Sequence, residues 1–385
     1  MAMKIARRGQ IPAFLVMDVM RAANRLAATG ADVIHLEVGE PSTGAPAGVR
    51  QAARQALETG RLGYTEALGL PELRARIAGH YRDVHRLDLD PARIIVTVGA
   101  SGAFLLAFLA AFEPGDRVAM AAPGYPAYRH ILRALDVEVV TLRTGPEERF
   151  QPSLAAIDQA IAQHGPLDGL IVASPSNPAG TMLAPADFAV LAAGCEARGM
   201  RLVSDEIYHG IEYGIRPMTA AACSPSALTI NSFSKYFSMT GWRLGWMVVP
   251  PELLRSVECL AQNMVISAPT LSQLAALAAF DCHDELRGNL RRYAANREVL
   301  LNELPAAGFA RLAPADGAFY IYADISELTD DSAAFCQRML ADTAIAATPG
   351  SDFDAEQGHR FVRFSFAGST ADMVEATRRL KQWRR

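Results

Sequence analysis

Seven short apolar and β-branched runs, separated by stretches of helical character, constrain this 385-residue chain more than any other feature. They fall at residues 94–98, 117–121, 137–142, 169–173, 201–204, 227–231 and 244–249. Uninterrupted apolar runs suit strands buried on both faces, and their alternation with helices predicts a mostly parallel sheet covered on both sides. Pro-Gly punctuation at 113–116 and 123–126 marks turns between the elements.

An open α/β sheet binds ligands beyond the carboxyl ends of its strands. The residues that follow these runs carry the chemistry. Ala100, Ser101 and Gly102 come after the first run and Tyr125 after the second. Asn177 comes after the fourth, Asp205 ends the fifth and Lys235 follows the sixth. Around the lysine the chain reads Ser232-Phe233-Ser234-Lys235-Tyr236, with Arg243 eight positions on; Tyr208 lies three residues beyond Asp205. One sheet edge therefore collects an amine, a carboxylate, a phenol, an amide and an anion clamp. That set suits a cofactor bearing an aldehyde, a pyridine nitrogen, a phenolic oxygen and a phosphate, which describes pyridoxal 5'-phosphate.

The length favours two domains over one core, and an apolar content of 50% supplies ample core material. Lys and Arg total 37 against 41 Asp and Glu, a net charge of −4, so no basic excess argues for nucleic acid. The apolar run 100–112 falls short of the ~20 residues that a membrane span needs and reads as a buried helix. Lys4, Arg7 and Arg8 precede an apolar stretch at 11–20, but Pro12 and Asp18 interrupt it. An amphipathic helix with Val16, Val19, Met20 and Ala23 on one face is expected there, not a signal peptide or a membrane anchor. Cys195, Cys223, Cys259, Cys282 and Cys336 form no Cys-x-x-Cys pair and read as reduced thiols of a cytoplasmic protein, with no metal cluster. His80, His85 and His209 receive no role, and Met239 and Met247 read as packing.

The pieces occur in family order over more than 300 residues, from Val33-Ile34-His35-Leu36-Glu37-Val38-Gly39-Glu40-Pro41 to the segment 361–367. In this the chain resembles the fold-type I pyridoxal-phosphate enzymes, within the class I/II aminotransferase family and close to aspartate aminotransferases. The resemblance implies a large cofactor-binding domain at 46–285, built on a mostly parallel seven-stranded sheet. It also implies a smaller, discontinuous α+β domain at 1–45 and 286–385. By the same resemblance Lys235 holds the cofactor aldehyde and then moves the substrate Cα proton. Asp205, with Glu206 as its competitor, pairs with the pyridine nitrogen, and Tyr208 and Asn177 meet the phenolic oxygen. Ala100, Ser101 and Gly102 amides, with Ser232, Ser234 and Arg243, take the phosphate. Tyr125 stacks on the ring, with Tyr128 as rival. Tyr64 reaches the phosphate of the other subunit, which implies a homodimer with shared sites. Arg363, helped by the Gly39 backbone and Asn177, holds the substrate carboxylate.

The expected reaction is ping-pong transfer of an amino group between an L-amino acid and a 2-oxo acid. A lyase or decarboxylase on the same scaffold is the alternative. A cofactor-sensing regulator is a further one, for which no DNA-binding segment remains. No basic residue follows Gly39-Glu40-Pro41, and Ser101 stands where some aspartate-using relatives have lysine. This disfavours a strict dicarboxylate specialist and leaves the amino acid open.

Overall fold

The computed structural model describes residues 3–384. Seven strands form the central sheet: Ile94–Thr97 (β1), Arg117–Ala122 (β2), Glu138–Arg143 (β3), Gly169–Ala173 (β4), Arg201–Asp205 (β5), Leu228–Ser232 (β6) and Gly245–Val248 (β7). Each lies within one residue, at either end, of a run expected from the sequence. The order across the sheet is β1-β7-β6-β5-β4-β2-β3. Only β7 is antiparallel to its neighbours β1 and β6; the remaining pairs are parallel. Every residue of β1, β6 and β7 is buried, whereas edge strand β3 alternates exposed and buried positions. β6 and β7 are central and covered on both faces; β1 is the other edge strand but is covered by helices Pro71–His85 and Gly99–Ala111, whereas β3 leaves one face to solvent.

The apolar run at 100–112 is the helix Gly99–Ala111, packed between the sheet and helix Leu254–Met264. Among the described residues no helix is long and apolar enough to cross a membrane. Helix His283–Glu303 runs from one core to another. Its Leu286 packs among Phe280 and Trp246, while Tyr293 and Leu300 pack among Phe319 and Ile321.

A four-stranded antiparallel sheet follows, in which Tyr320–Asp324 (β8) and Phe361–Ser365 (β9) are central. Just before β8, Gly317 forms an isolated antiparallel bridge to Glu212. The N-terminal helix Leu15–Ala27 buries Val16 and Ala23 and half-buries Val19 and Met20, so the expected apolar face exists. Next to it, Ile34–His35 pairs in parallel with Ile345–Ala346, and Ser365 N–H donates to Leu36 O at 2.7 Å. The two ends of the chain thus share one layer beside the large sheet.

Candidate active site

A cavity of about 510 Å³ opens at the carboxyl ends of the large sheet's parallel strands. Ala100, Ser101, Tyr125, Asn177, Asp205, Tyr208, Ser234, Lys235 and Arg243 reach it from that sheet's loops. Arg363 arrives from β9, and Gly39 from the segment after Ile34–His35.

Lys235 Nζ donates to Gly39 O at 2.6 Å. Burial pulls the amine down from 10.5 to about 8; Glu40 opposes this, and Arg363 and Arg243 reinforce it. Asp205, buried at the end of β5, accepts a short hydrogen bond from the Tyr128 hydroxyl at Oδ2. Its Oδ1 accepts Ile207 N–H at 3.0 Å. Burial pushes this carboxyl up to about 6, against the pull of Tyr128, Ile207 and Lys235. The rival Glu206 is turned away from the cavity. Its Oε1 accepts from Ser204 Oγ at 3.1 Å and Ala220 N–H at 2.7 Å, and burial pushes it up to about 8.

Arg363 is 3% exposed, yet among the described residues no carboxylate pairs with it. Its Nη1 donates to Asn177 Oδ1 at 2.8 Å, and Nη2 to Glu37 O at 2.5 Å and to Thr348 Oγ1 at 3.2 Å. The Nε is buried without a partner, and the guanidinium lies 4.4 Å from the centre of the Tyr320 ring. A buried, uncompensated cation is costly, so this position is built for an anion. Arg243 also lacks a carboxylate partner among the described residues; its Nη1 donates to Thr240 O at 3.0 Å. A Cβ on Gly99, where φ is +65°, would stand 2.7 Å from Arg243 Nη2. The glycine keeps open the space between that guanidinium and the first turn of helix Gly99–Ala111, which has no side-chain cap. Free helix-terminal amides facing a guanidinium make a phosphate-sized cradle.

Not every expected residue reaches the cavity. Ser232 sits behind Ser234, within hydrogen-bonding distance of Leu244 O and Ser234 Oγ. Gly102 lies deeper in its helix, its N–H directed to Val98 O at 3.4 Å. Tyr64 is 82% exposed and outside the cavity. His209 is buried behind the site, bonded to Ser174 O at 3.1 Å.

Other lining residues were not expected from the sequence. Tyr128 was weighed only as a stacking rival, and its bond to Asp205 depends on a loop-to-strand approach that spacing does not encode. Tyr320 bonds Tyr208 through their hydroxyls at 2.7 Å, and its own hydroxyl would stand 2.0 Å from a Cβ on Gly39. Phe14, Val16, Met17 and Met20 line one side from the N-terminal helix and the residue before it. The helix was legible, but not what it faces.

The amine, buried acid and phosphate-sized cradle fit pyridoxal phosphate. Residues 31–380 match the family model for aminotransferase class I and II. The chain belongs to the class I and II aminotransferases. It is 51% identical to valine–pyruvate aminotransferase of Mycobacterium tuberculosis, over 99% of this chain and 98% of that one. A solved aminotransferase from the same organism superposes with a TM-score of 0.96 at 51% identity, covering 99% of both chains. Thermus thermophilus aspartate aminotransferase, solved with maleate, gives 0.92 at 31% identity over 99% of this chain and 100% of that one. This aminotransferase, like its family, uses pyridoxal phosphate to move an amino group between an amino acid and a 2-oxo acid. The named relatives are aminotransferases, which favours amino-group transfer over the lyase, decarboxylase and regulator alternatives.

Proposed function

We propose that this aminotransferase prefers small, neutral, branched aliphatic amino acids such as valine, with pyruvate as the amino acceptor. One observation carries the reading. The cations lining the cavity are Lys235, Arg243 and Arg363, and each has work near the reacting centre, which leaves none for a second carboxylate. The remaining wall, from Phe14, Val16, Met17, Met20 and Ile131, is apolar. An unbranched acidic side chain would be desolvated there without a partner. The name of the 51% identical mycobacterial relative supports the same choice.

The roles of the residues follow from their environments. Pyridoxal phosphate, when bound, supplies the aldehyde that accepts the amino group and a ring that withdraws electrons from the substrate Cα. Lys235 would hold the cofactor, and its amine, lowered by burial, would move the substrate Cα proton. Asp205 holds a proton at the pyridine nitrogen, steadied by Tyr128. Tyr208 donates to the phenolic oxygen, and so does the Asn177 amide nitrogen, because the amide oxygen is engaged by Arg363. Ala100, Ser101, Ser234 and Arg243 take the phosphate, with Gly102 and Ser232 supporting from behind. Tyr125, which lines the cavity, would cover one ring face. Arg363 forks onto the substrate α-carboxylate, with Asn177 and Gly39 beside it.

The reading includes a large unit at 46–285 and a discontinuous small unit at 1–45 and 286–385, of which residues 1, 2 and 385 lie outside the described residues. It also includes a homodimer. Tyr64 is 82% exposed, yet its loop is anchored by the Thr270 hydroxyl on Gly63 O at 2.5 Å and by Gln273 on Thr65 at 3.0 Å. An anchored, exposed tyrosine suits a role in the partner's site. Five free cysteines support a reducing, cytoplasmic setting.

The test is a kcat/KM comparison on purified holoenzyme, with pyruvate as acceptor and alanine formation as the readout. Valine should exceed aspartate by at least about tenfold, the usual discrimination of an apolar pocket. Equal or better use of aspartate would overturn the specificity reading.

A further inference from the structure

We propose that Asp352 is the positioning residue for the apolar substrate wall, acting as the clasp that fixes the N-terminal helix over the cavity. The observation is a pair of hydrogen bonds across more than 330 residues of sequence. Leu15 N–H donates to Asp352 Oδ1 at 3.1 Å, and Val16 N–H donates to Oδ2 at 3.2 Å. These are the first two amides of helix Leu15–Ala27, whose own N-cap, Phe14, offers no side-chain acceptor. A remote carboxylate does the work of a cap, and its charge also suits the positive end of the helix. Asp352 is 2% exposed, so this is not a mobile surface contact.

The clasp sits where three parts of the site meet. Four residues earlier, Thr348 Oγ1 accepts from Arg363 Nη2 and donates to Glu37 O at 2.9 Å. On the other side, Arg129 donates to Asp352 O and Phe353 O, and Gly124 N–H donates to Phe353 O at 3.1 Å. Residues 124–129 also carry Tyr125 and Tyr128. One short segment, 348–353, is therefore tied to the arginine proposed for the substrate carboxylate, to the aromatic loop and to the helix bearing Val16, Met17 and Met20. Phe14, immediately before the helix, meets Tyr125 edge-on at 5.9 Å. The segment sets the distance between the carboxylate position and the side-chain wall. Gly350 lets it pass, since a Cβ there would stand 2.5 Å from Gly358 O.

The inference rests on reading this cavity as the substrate site, not on the choice of valine. The experiment therefore uses whichever amino acid the unaltered holoenzyme turns over best. Asp352→Ala should raise KM for that amino acid by about tenfold, the value of a strong helix cap, while kcat changes less than about twofold. Cofactor affinity, followed by absorbance, should be unchanged, and the Leu15 and Val16 amides should exchange hydrogen faster. Asp352→Asn, which keeps one acceptor, should restore part of the loss. Leu15→Pro removes one donor at a helix position that tolerates proline, leaves Asp352 intact and should raise KM by about threefold. An unaltered KM in both Asp352→Ala and Leu15→Pro overturns the proposal, as does a fall in kcat and cofactor affinity with KM constant. A preference of the unaltered enzyme for aspartate would instead count against the valine reading alone.

Discussion

The cavity has two walls of opposite character. The wall from the large sheet's strand-end loops and from β9 is polar, and its groups are fixed by specific partners: Lys235 by Gly39 O, Asp205 by Tyr128 and Ile207, Arg363 by Asn177, Glu37 O and Thr348. The wall from the N-terminal helix is apolar and less enclosed, with Met17 47% exposed. On the proposed reading, Lys235 and Asp205 in the first wall meet reacting atoms, so changes to them should strike kcat, whereas Arg363 meets the substrate carboxylate and a change to it should strike KM. The second meets only the substrate side chain, so changes there should strike KM and selectivity.

The largest effect belongs to Lys235. Lys235→Ala should lower kcat by more than about 10³-fold, since a positioned proton-transfer group alone is worth 10²–10⁴. Borohydride should fix cofactor to the unaltered protein and not to the variant. The pH dependence carries a definite sign. Burial places this amine near 8, so below that value most of it is protonated and cannot attack the aldehyde. Cofactor loading into the apoenzyme should rise about tenfold per pH unit and level off above about 8. A plateau beginning near 10 would show that the lysine behaves as a solvated one and would weaken the contrast between the walls.

Asp205→Asn comes next. Losing a buried charge partner should lower kcat by about 10²- to 10³-fold, with a changed absorption spectrum of the bound cofactor. Arg363→Lys keeps the charge but not the fork. It should raise KM for amino acid about 10- to 100-fold and leave cofactor affinity intact. A loss of cofactor binding in this variant would mean that Arg363 serves the phosphate, and the assignment of the two uncompensated guanidinium groups would have to be exchanged.

The polar wall was far more legible in the sequence than the apolar one. A parallel sheet with buried strands announces itself as short apolar runs, and its ligand edge follows from topology. Lys235, Asp205, Asn177 and Tyr125 could therefore be gathered onto one edge before any coordinates. What sequence order could not supply was depth. Ser232 and Gly102 follow the right strands yet sit behind the residues that line the cavity, because successive strand and helix residues face different sides and sequence order alone does not say which side is the cavity. The apolar wall was hidden for a different reason. The helix at residues 15–27 has an ordinary amphipathic pattern, and its direction over the site depends on Asp352, with no local signal linking them. Tyr320, between Gly39 and Tyr208, was likewise legible only as a strand residue.

The smallest effect tests the apolar wall itself. Met20 lines the cavity and is half-buried, so Met20→Ala removes only part of a full side-chain burial. The expected loss is about three- to tenfold in kcat/KM for valine, at the low end for apolar contacts. Alanine, whose methyl group extends less far, should be used nearly as well as before. The informative quantity is the ratio between the two substrates, because a general loss of folding or cofactor would lower both. A selective fall in valine use, carried mainly by KM, would place the helix in the role of a gauge for side-chain size. Equal falls for both substrates, carried by kcat, would mean that the helix supports the reacting groups, and the division of labour between the two walls would fail.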